Sequence, residues 1–151
     1  MTQEPGPGSR TLVMGIGNPG RGDDGLGPRL VERLEPARPE SADLDSNYQL
    51  NVEDALACSH YATVIFVDAS ASGKAPFEFS KLEPARDIAF TTHELSPASV
   101  LALCDELYGR RPEAWLLAIR GYAWDLGESL SPLAEINLSA ALAFLVGRLK
   151  L

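Results

Sequence analysis

The sequence predicts a three-layer α/β fold, in which a mostly parallel, twisted, five-stranded sheet has helices on both faces. Two near-continuous apolar segments, 11–16 and 63–68, are typical of strands buried on both sides. Segments with helical periodicity alternate with the strand patterns along the chain. Handedness rules then restrict the connections to a doubly wound topology.

Five segments have the pattern of strands. Residues 63–68 are the clearest, because five β-branched or aromatic residues precede Asp68. Residues 77–82 alternate with period two, which predicts a half-exposed edge strand. The predicted strands are, in chain order, 11–16, 41–48, 63–68, 77–82 and 114–119.

Four segments have the pattern of helices. Asn51 resembles an N-cap, with Asp54 three residues later, and Ser96 and Ser131 each precede a proline suited to a first helical turn. The predicted helices cover about 24–35, 51–59, 96–107 and 131–149.

Length and composition predict the class of protein. The 151 residues fit a flexible, Pro/Gly-rich tail (1–10) and a single domain (11–151). The net charge of −8 argues against nucleic acid as a partner. No apolar run reaches the roughly 18 residues that span a bilayer, and the N-terminus lacks the apolar core of a secretory signal. We therefore expect a cytoplasmic protein, with Cys58 and Cys104 as reduced core residues.

A glycine-rich turn follows the first strand and contains Asp23 and Asp24. Its beginning, Gly15-Ile-Gly17-Asn-Pro-Gly20, matches the G-x-G-x-x-G dinucleotide fingerprint, so a small dinucleotide-binding protein is one alternative. However, two carboxylates would repel a pyrophosphate, and no helix is predicted to open at the third glycine. The pair of acids favours a cation instead.

Asp24, Asp68 and His93 are the candidate site residues. Ligands of doubly wound sheets bind beyond the carboxyl ends of the strands, where the strand order reverses. Asp24 and Asp68 follow the first and third strands, the usual neighbours there. His93 precedes the third helix, and one imidazole with two carboxylates suits nickel, zinc or manganese. Taken singly, Asp24 could be only a helix cap and Asp68 only a strand-ending acid. His60 is expected at the opposite end of the third strand, with no role.

Three motifs carry a family resemblance over residues 11–148. They are the glycine-rich stretch Val13–Gly27, Val64-Ile-Phe-Val-Asp-Ala69 and Thr92-His-Glu-Leu-Ser-Pro97. Together they resemble the hydrogenase maturation endopeptidase family. The resemblance implies a five-stranded sheet between helices, and removal of a C-terminal extension from a nickel-iron hydrogenase large-subunit precursor once nickel is inserted.

The resemblance also implies roles for particular residues. Asp24, Asp68 and His93 would contact the metal, although some members have glutamate at the first position. Nickel would be carried by the substrate rather than permanently bound, and no organic cofactor is expected. Asn18 and Asp23 match the first motif without an assigned role.

We find no serine or cysteine triad pattern in the sequence, which favours metal-assisted or metal-directed hydrolysis. The sequence shows no obvious dimer seam, so we expect a monomer. Either a bound ion activates water, or nickel held in the precursor docks onto the three residues. Two rivals remain open. A non-catalytic nickel-sensing chaperone would use the same residues, and a two-metal phosphoesterase would need a further acid or histidine, for which Glu94 is the candidate.

Overall fold

The computed structural model describes residues 10–86, 95–127 and 129–150, and in them the elements follow the predicted order. The strands are β1 (Thr11–Ile16), β2 (Ala42–Asn47), β3 (Thr63–Ser70), β4 (Phe77–Leu82) and β5 (Glu113–Arg120). The α-helices are α1 (Leu26–Leu34), α2 (Val52–Cys58), α3 (Pro97–Tyr108) and α4 (Pro132–Leu149).

The strands form one sheet in the order β2-β1-β3-β5-β4. Strands β1, β2, β3 and β5 are parallel, whereas β4 runs antiparallel along the edge beside β5. Both the mostly parallel sheet and the edge strand over 77–82 are therefore confirmed. Within the sheet, β2 lies next to β1 on one side and β3 lies next to β1 on the other. The strand order therefore reverses between β1 and β3.

Helices cover both faces of this sheet, as predicted. Met14 of β1 joins a core with α2 and α3, and its neighbour Val13 joins a second core with α1 and α4, because alternate strand residues face opposite sides. Cys58 of α2 and Cys104 of α3 are free and buried. Burial raises the pKa of Cys58 to about 12 and raises that of Cys104 as well.

Helix α4 covers the sheet through one buried stripe. Ala134, Leu138, Ala141 and Leu145 repeat at helical spacing and pack in the same core as Leu117 of β5. By length and composition alone, α4 is the one helix in the described residues that could cross a membrane, and 28% of that stretch is buried. The stripe gives α4 the contacts expected of a core helix.

Two element boundaries differ by two residues from those predicted, and the others differ by at most one. Strand β3 continues two residues beyond Asp68, to Ser70, because Ser70 still pairs with Arg120 of β5. Helix α1 begins at Leu26, after a 3-10 turn over Gly22–Gly25, rather than near Asp24. The ψ of Gly25, the residue before α1, is 1°, which lies outside the α-helical range, so the helix begins only at Leu26.

Residues 1–9 of the predicted tail lie outside the described residues. Arg10, the last residue assigned to that tail, pairs with Asp43 of β2. Its carbonyl oxygen accepts a hydrogen bond of 2.9 Å from the Ala62 amide, and Tyr61 Oη donates one of 2.8 Å to Asp43. These contacts lie beside the amino-terminal half of β1, because Asp43 pairs with Leu12.

Candidate metal-binding site

The carboxyl ends of β1 and β3 form the crevice in which the site is predicted. The start of α1 lies directly against both strands at Gly27. A Cβ atom at this position would be 2.4 Å from the carbonyl oxygen of Val67 and 2.5 Å from that of Ile16. Only glycine permits this approach, which brings the segment preceding α1 to the carboxyl edge of the sheet.

Asp24 lies in the 3-10 turn just before α1 and is half-buried. Its Oδ2 atom accepts a hydrogen bond of 2.8 Å from the backbone amide of Asn18. The residue at the N-cap of α1 is Gly25, and no side chain of the described residues caps that helix. The interpretation of Asp24 as only a helix cap is therefore wrong, and its carboxylate is held toward the glycine turn instead.

Asp68 lies where β3 leaves its pairing with β1. The β1–β3 ladder ends at Gly15 opposite Val67, whereas Asp68 pairs only with Ala118 of β5. Its Oδ1 atom accepts a hydrogen bond of 2.8 Å from the amide of Ala69, and the residue is half-buried. Asp68 is therefore the first residue of β3 beyond β1, at the same sheet edge as the turn that carries Asp24.

His93 and Glu94 fall outside the described residues. Leu95, two residues after His93, is described, and its amide donates a hydrogen bond of 3.3 Å to the carbonyl oxygen of Leu50. Leu50 is buried in the connection that follows β2. Asn47, the last residue of β2, accepts a hydrogen bond from the amide of Gly17, which lies just after β1. The chain thus enters α3 close to the carboxyl ends of β2 and β1.

The described residues contain two of the three predicted ligands. Among them, no three histidine, cysteine or acidic side chains are grouped so that they could hold a metal ion. Asp24 and Asp68 supply oxygen donors only. His60, exposed just before β3, lies at the opposite end of that strand, as expected.

Asp23 has a structural role that sequence analysis missed. Its carboxylate is fully buried and accepts four hydrogen bonds from the connection between β5 and α4. Burial alone would raise the pKa of Asp23, but the hydrogen bonds from Ser131, Tyr122 and Ala123 lower it below its usual value. The donors are 99 to 108 residues away in sequence, so no local pattern indicates them.

The glycine turn lacks the geometry of a dinucleotide site. Gly20, the third glycine of the fingerprint, stands before the 3-10 turn and not at the start of a helix, since α1 begins only at Leu26. A dinucleotide site of this kind also has an acid about 20 residues after the glycines to bind the ribose, and Asp43, which stands near that position, is engaged by Arg10 and Tyr61. The third glycine is therefore not followed by the helix N-terminus whose amide groups would bind a pyrophosphate.

These features define a class of protein: a doubly wound α/β fold with acidic residues at its switch point. No protein-family model matches the chain, and no curated protein matches its sequence. Solved structures do match it over nearly the full length.

The matching structures include hydrogenase maturation proteases. The hydrogenase maturating endopeptidase HybD of E. coli superposes with a TM-score of 0.77 and 24% identity, over 93% of this chain and 92% of that one. The [NiFe] hydrogenase maturation protease HycI of Thermococcus kodakarensis gives 0.73 and 24%, over 95% and 94%. The hydrogenase 2 maturation peptidase of a Thaumarchaeota archaeon gives 0.68 and 27%, over 93% and 97%. This chain has the fold of the hydrogenase maturation proteases.

Proposed function

We propose that this protein is an endopeptidase that removes the C-terminal extension of a nickel-iron hydrogenase large-subunit precursor after nickel insertion. The observation that carries the proposal is the position of Asp24 and Asp68 at the carboxyl ends of two neighbouring parallel strands. Ligands bind at this point in doubly wound folds. The fold shared with hydrogenase maturation proteases supports the reaction class.

Backbone amides help to orient both carboxylates. Asn18 donates to Asp24 Oδ2, and Ala69 donates to Asp68 Oδ1. An oriented carboxylate is suited to contact a divalent cation. His93 would complete the set, because the two residues from Leu95 to His93 span at most about 7 Å. One nitrogen and two oxygen donors leave coordination positions for ligands from the substrate.

In this proposal nickel belongs to the substrate. Asp24, Asp68 and His93 would contact the ion already seated in the precursor, so that only a loaded precursor is aligned for cleavage. The buried thiols of Cys58 and Cys104 do not suit a nucleophile, since burial raises the pKa of both groups. This supports hydrolysis directed by the metal over a thiol mechanism.

The partner that we propose is the hydrogenase large-subunit precursor, and we place the reaction in the cytoplasm, with the protease as a monomer. Two free, buried cysteines fit a reducing compartment. Light scattering of the purified protein tests the monomer, and fractionation of cells that produce it tests the compartment.

The decisive experiment mixes the protein with nickel-loaded and nickel-free precursor and weighs the products by mass spectrometry. We expect release of the C-terminal peptide from the loaded precursor only. The variants Asp68→Asn and His93→Ala should lower the cleavage rate on the order of a hundredfold or more.

The chain offers matched controls for both variants. Asp45 on β2 also accepts a hydrogen bond from the amide that follows it, so Asp45→Asn controls for that local change. His60 is the only other histidine, and His60→Ala controls for the loss of an imidazole. Normal trimming by Asp68→Asn and His93→Ala would refute the proposal. Stable binding of the loaded precursor by wild type without peptide release would indicate a nickel-sensing chaperone instead.

A further inference from the structure

We infer that Asp23 is a positioning residue for the proposed reaction: its buried carboxylate ties the turn that carries Asp24 to the connection between β5 and α4 and so directs the Asp24 carboxylate. The inference rests on the proposed function, because it assigns a task to Asp24. Asp23 itself is fully buried and would touch neither metal nor substrate.

The four hydrogen bonds of Asp23 come from two separate places in the connection. Tyr122 and Ala123 donate their backbone amides to Oδ2 at 2.7 and 2.9 Å, just after β5. Ser131, the N-cap of α4, donates its amide to Oδ1 at 2.8 Å and its hydroxyl to Oδ2 at 2.7 Å. One carboxylate therefore holds both ends of this connection. Hydrogen bonds to a charged acceptor are stronger than neutral ones.

Backbone contacts press the same two segments together. The Asp23 amide donates to the carbonyl oxygen of Ala123 at 2.8 Å, and the Gly22 amide donates to that of Gly127 at 2.7 Å. A Cβ atom at Gly121 would lie 2.8 Å from the Cβ atom of Asp23. The turn is thus fixed from the side of β5 and α4 as well as by its contacts with the end of β1.

Asp24 takes its position from this anchored turn. Its Cα atom is one peptide unit, about 3.8 Å, from that of Asp23, so any rotation of the turn moves both residues. The Asn18 amide, which donates to Asp24 Oδ2, reports where the Asp24 carboxylate lies. A change at Asp23 that reaches Asp24 must therefore disturb the Asn18 amide.

The test compares Asp23→Asn with Asp43→Asn. Both acids accept several hydrogen bonds, and both have a lowered pKa, but Asp43 lies beside the amino-terminal half of β1. In Asp23→Asn, an amide NH₂ must face at least one of the four donors, so the anchor is weakened without a change of shape. Asp43→Asn controls for a general loss of stability.

Two readouts are taken well below the melting temperature of each variant. By NMR, the Asn18 amide of Asp23→Asn should exchange with solvent at least about tenfold faster than in wild type, while Asp43→Asn leaves it unchanged. Cleavage of the loaded precursor should fall by about tenfold to a hundredfold in Asp23→Asn only, as expected when a reacting group is misplaced. An unchanged Asn18 amide, or a cleavage rate equal to that of Asp43→Asn, would overturn the inference.

Ser131→Ala is the second test variant, used if Asp23→Asn does not fold. This variant removes one of the four donors and keeps the amides of Tyr122 and Ala123, so it should give smaller changes of the same kind. Wild-type exchange at Asn18 in Ser131→Ala would then overturn the inference. If the wild-type protein does not cleave the loaded precursor, the proposed function fails, yet the Asn18 exchange still decides whether Asp23 directs Asp24.

Discussion

A Cβ atom at Gly17 would lie 1.9 Å from the backbone carbonyl oxygen of Asp24, because the end of β1 lies directly against the turn before α1. The φ of Gly17 is +137°, which also excludes other residues. The glycine motif therefore serves to bring Asp24 against the first strand.

Gly17→Ala should both destabilise the protein and remove its activity. Strain and collision together should cost at least about 2 kcal/mol of unfolding free energy, because the obstructing atom belongs to the backbone. Denaturant unfolding and precursor cleavage measure the two effects. Gly147→Ala on α4 is the control, since a Cβ atom there would have no atom of the described residues within 4 Å, other than its own helix backbone. That variant should gain about 0.5–1 kcal/mol. Wild-type stability of Gly17→Ala would contradict the contact described.

Asp24→Asn should separate catalysis from folding. Because Asp24 caps no helix, and because asparagine retains an oxygen that can accept from Asn18, the unfolding free energy should change by less than about 0.5 kcal/mol. Loss of the negative charge should nonetheless lower the cleavage rate on the order of a hundredfold. A large loss of stability with normal cleavage would show that Asp24 is a purely structural residue.

Much of the fold could be predicted because its strands and helices have local patterns. The apolar run of β1, the alternation in β4 and the Ser-Pro starts of α3 and α4 all depend on neighbours in sequence. The end of β3 could not be predicted, since residues 69–70 are ordered by pairing with β5 and not by their own pattern. Asp23 is similar, because its hydrogen-bond donors come from the last third of the chain.

For the candidate site, the sequence placed Asp24 and Asp68 at one sheet edge through the topology alone. The structure adds that the backbone amide of Asn18 holds the Asp24 carboxylate. A backbone contact of this kind cannot be predicted from the asparagine side chain in the motif. The Asn18 side chain accepts from the Gly20 amide and shapes the turn. His93 remains a prediction.

The acid stability of the protein should depend on Asp43. Hydrogen bonds from Arg10, which has the larger effect, and from Tyr61 lower the pKa of the Asp43 carboxyl in the folded state. Asp43 therefore stabilises the fold above its unfolded pKa of about 3.9, and this contribution is lost as the pH falls through the folded pKa. Urea unfolding between about pH 6 and pH 2 should show a shallower decline for Asp43→Asn than for wild type. Parallel curves for the two proteins would contradict this.

Both cysteines should be dispensable for cleavage. With both thiols buried and the pKa of Cys58 near 12, iodoacetamide at neutral pH should not modify the native protein. The double variant Cys58→Ala, Cys104→Ala should cleave the loaded precursor at the wild-type rate, while losing on the order of 1 kcal/mol of stability for each substitution. Loss of cleavage by a folded double variant would point to a thiol nucleophile.

The long reach of the Asp23 hydrogen bonds has a consequence for biosynthesis. A nascent chain that has emerged only as far as β3 contains both Asp24 and Asp68, yet the groups that anchor the turn, at 122, 123 and 131, have not been translated. Contacts between residues so distant in sequence are slow to form, because a long loop must close first. In an incomplete polypeptide on the ribosome, the turn that carries Asp24 therefore lacks its anchor. We expect the protein to become able to cleave only when α4 packs against the sheet.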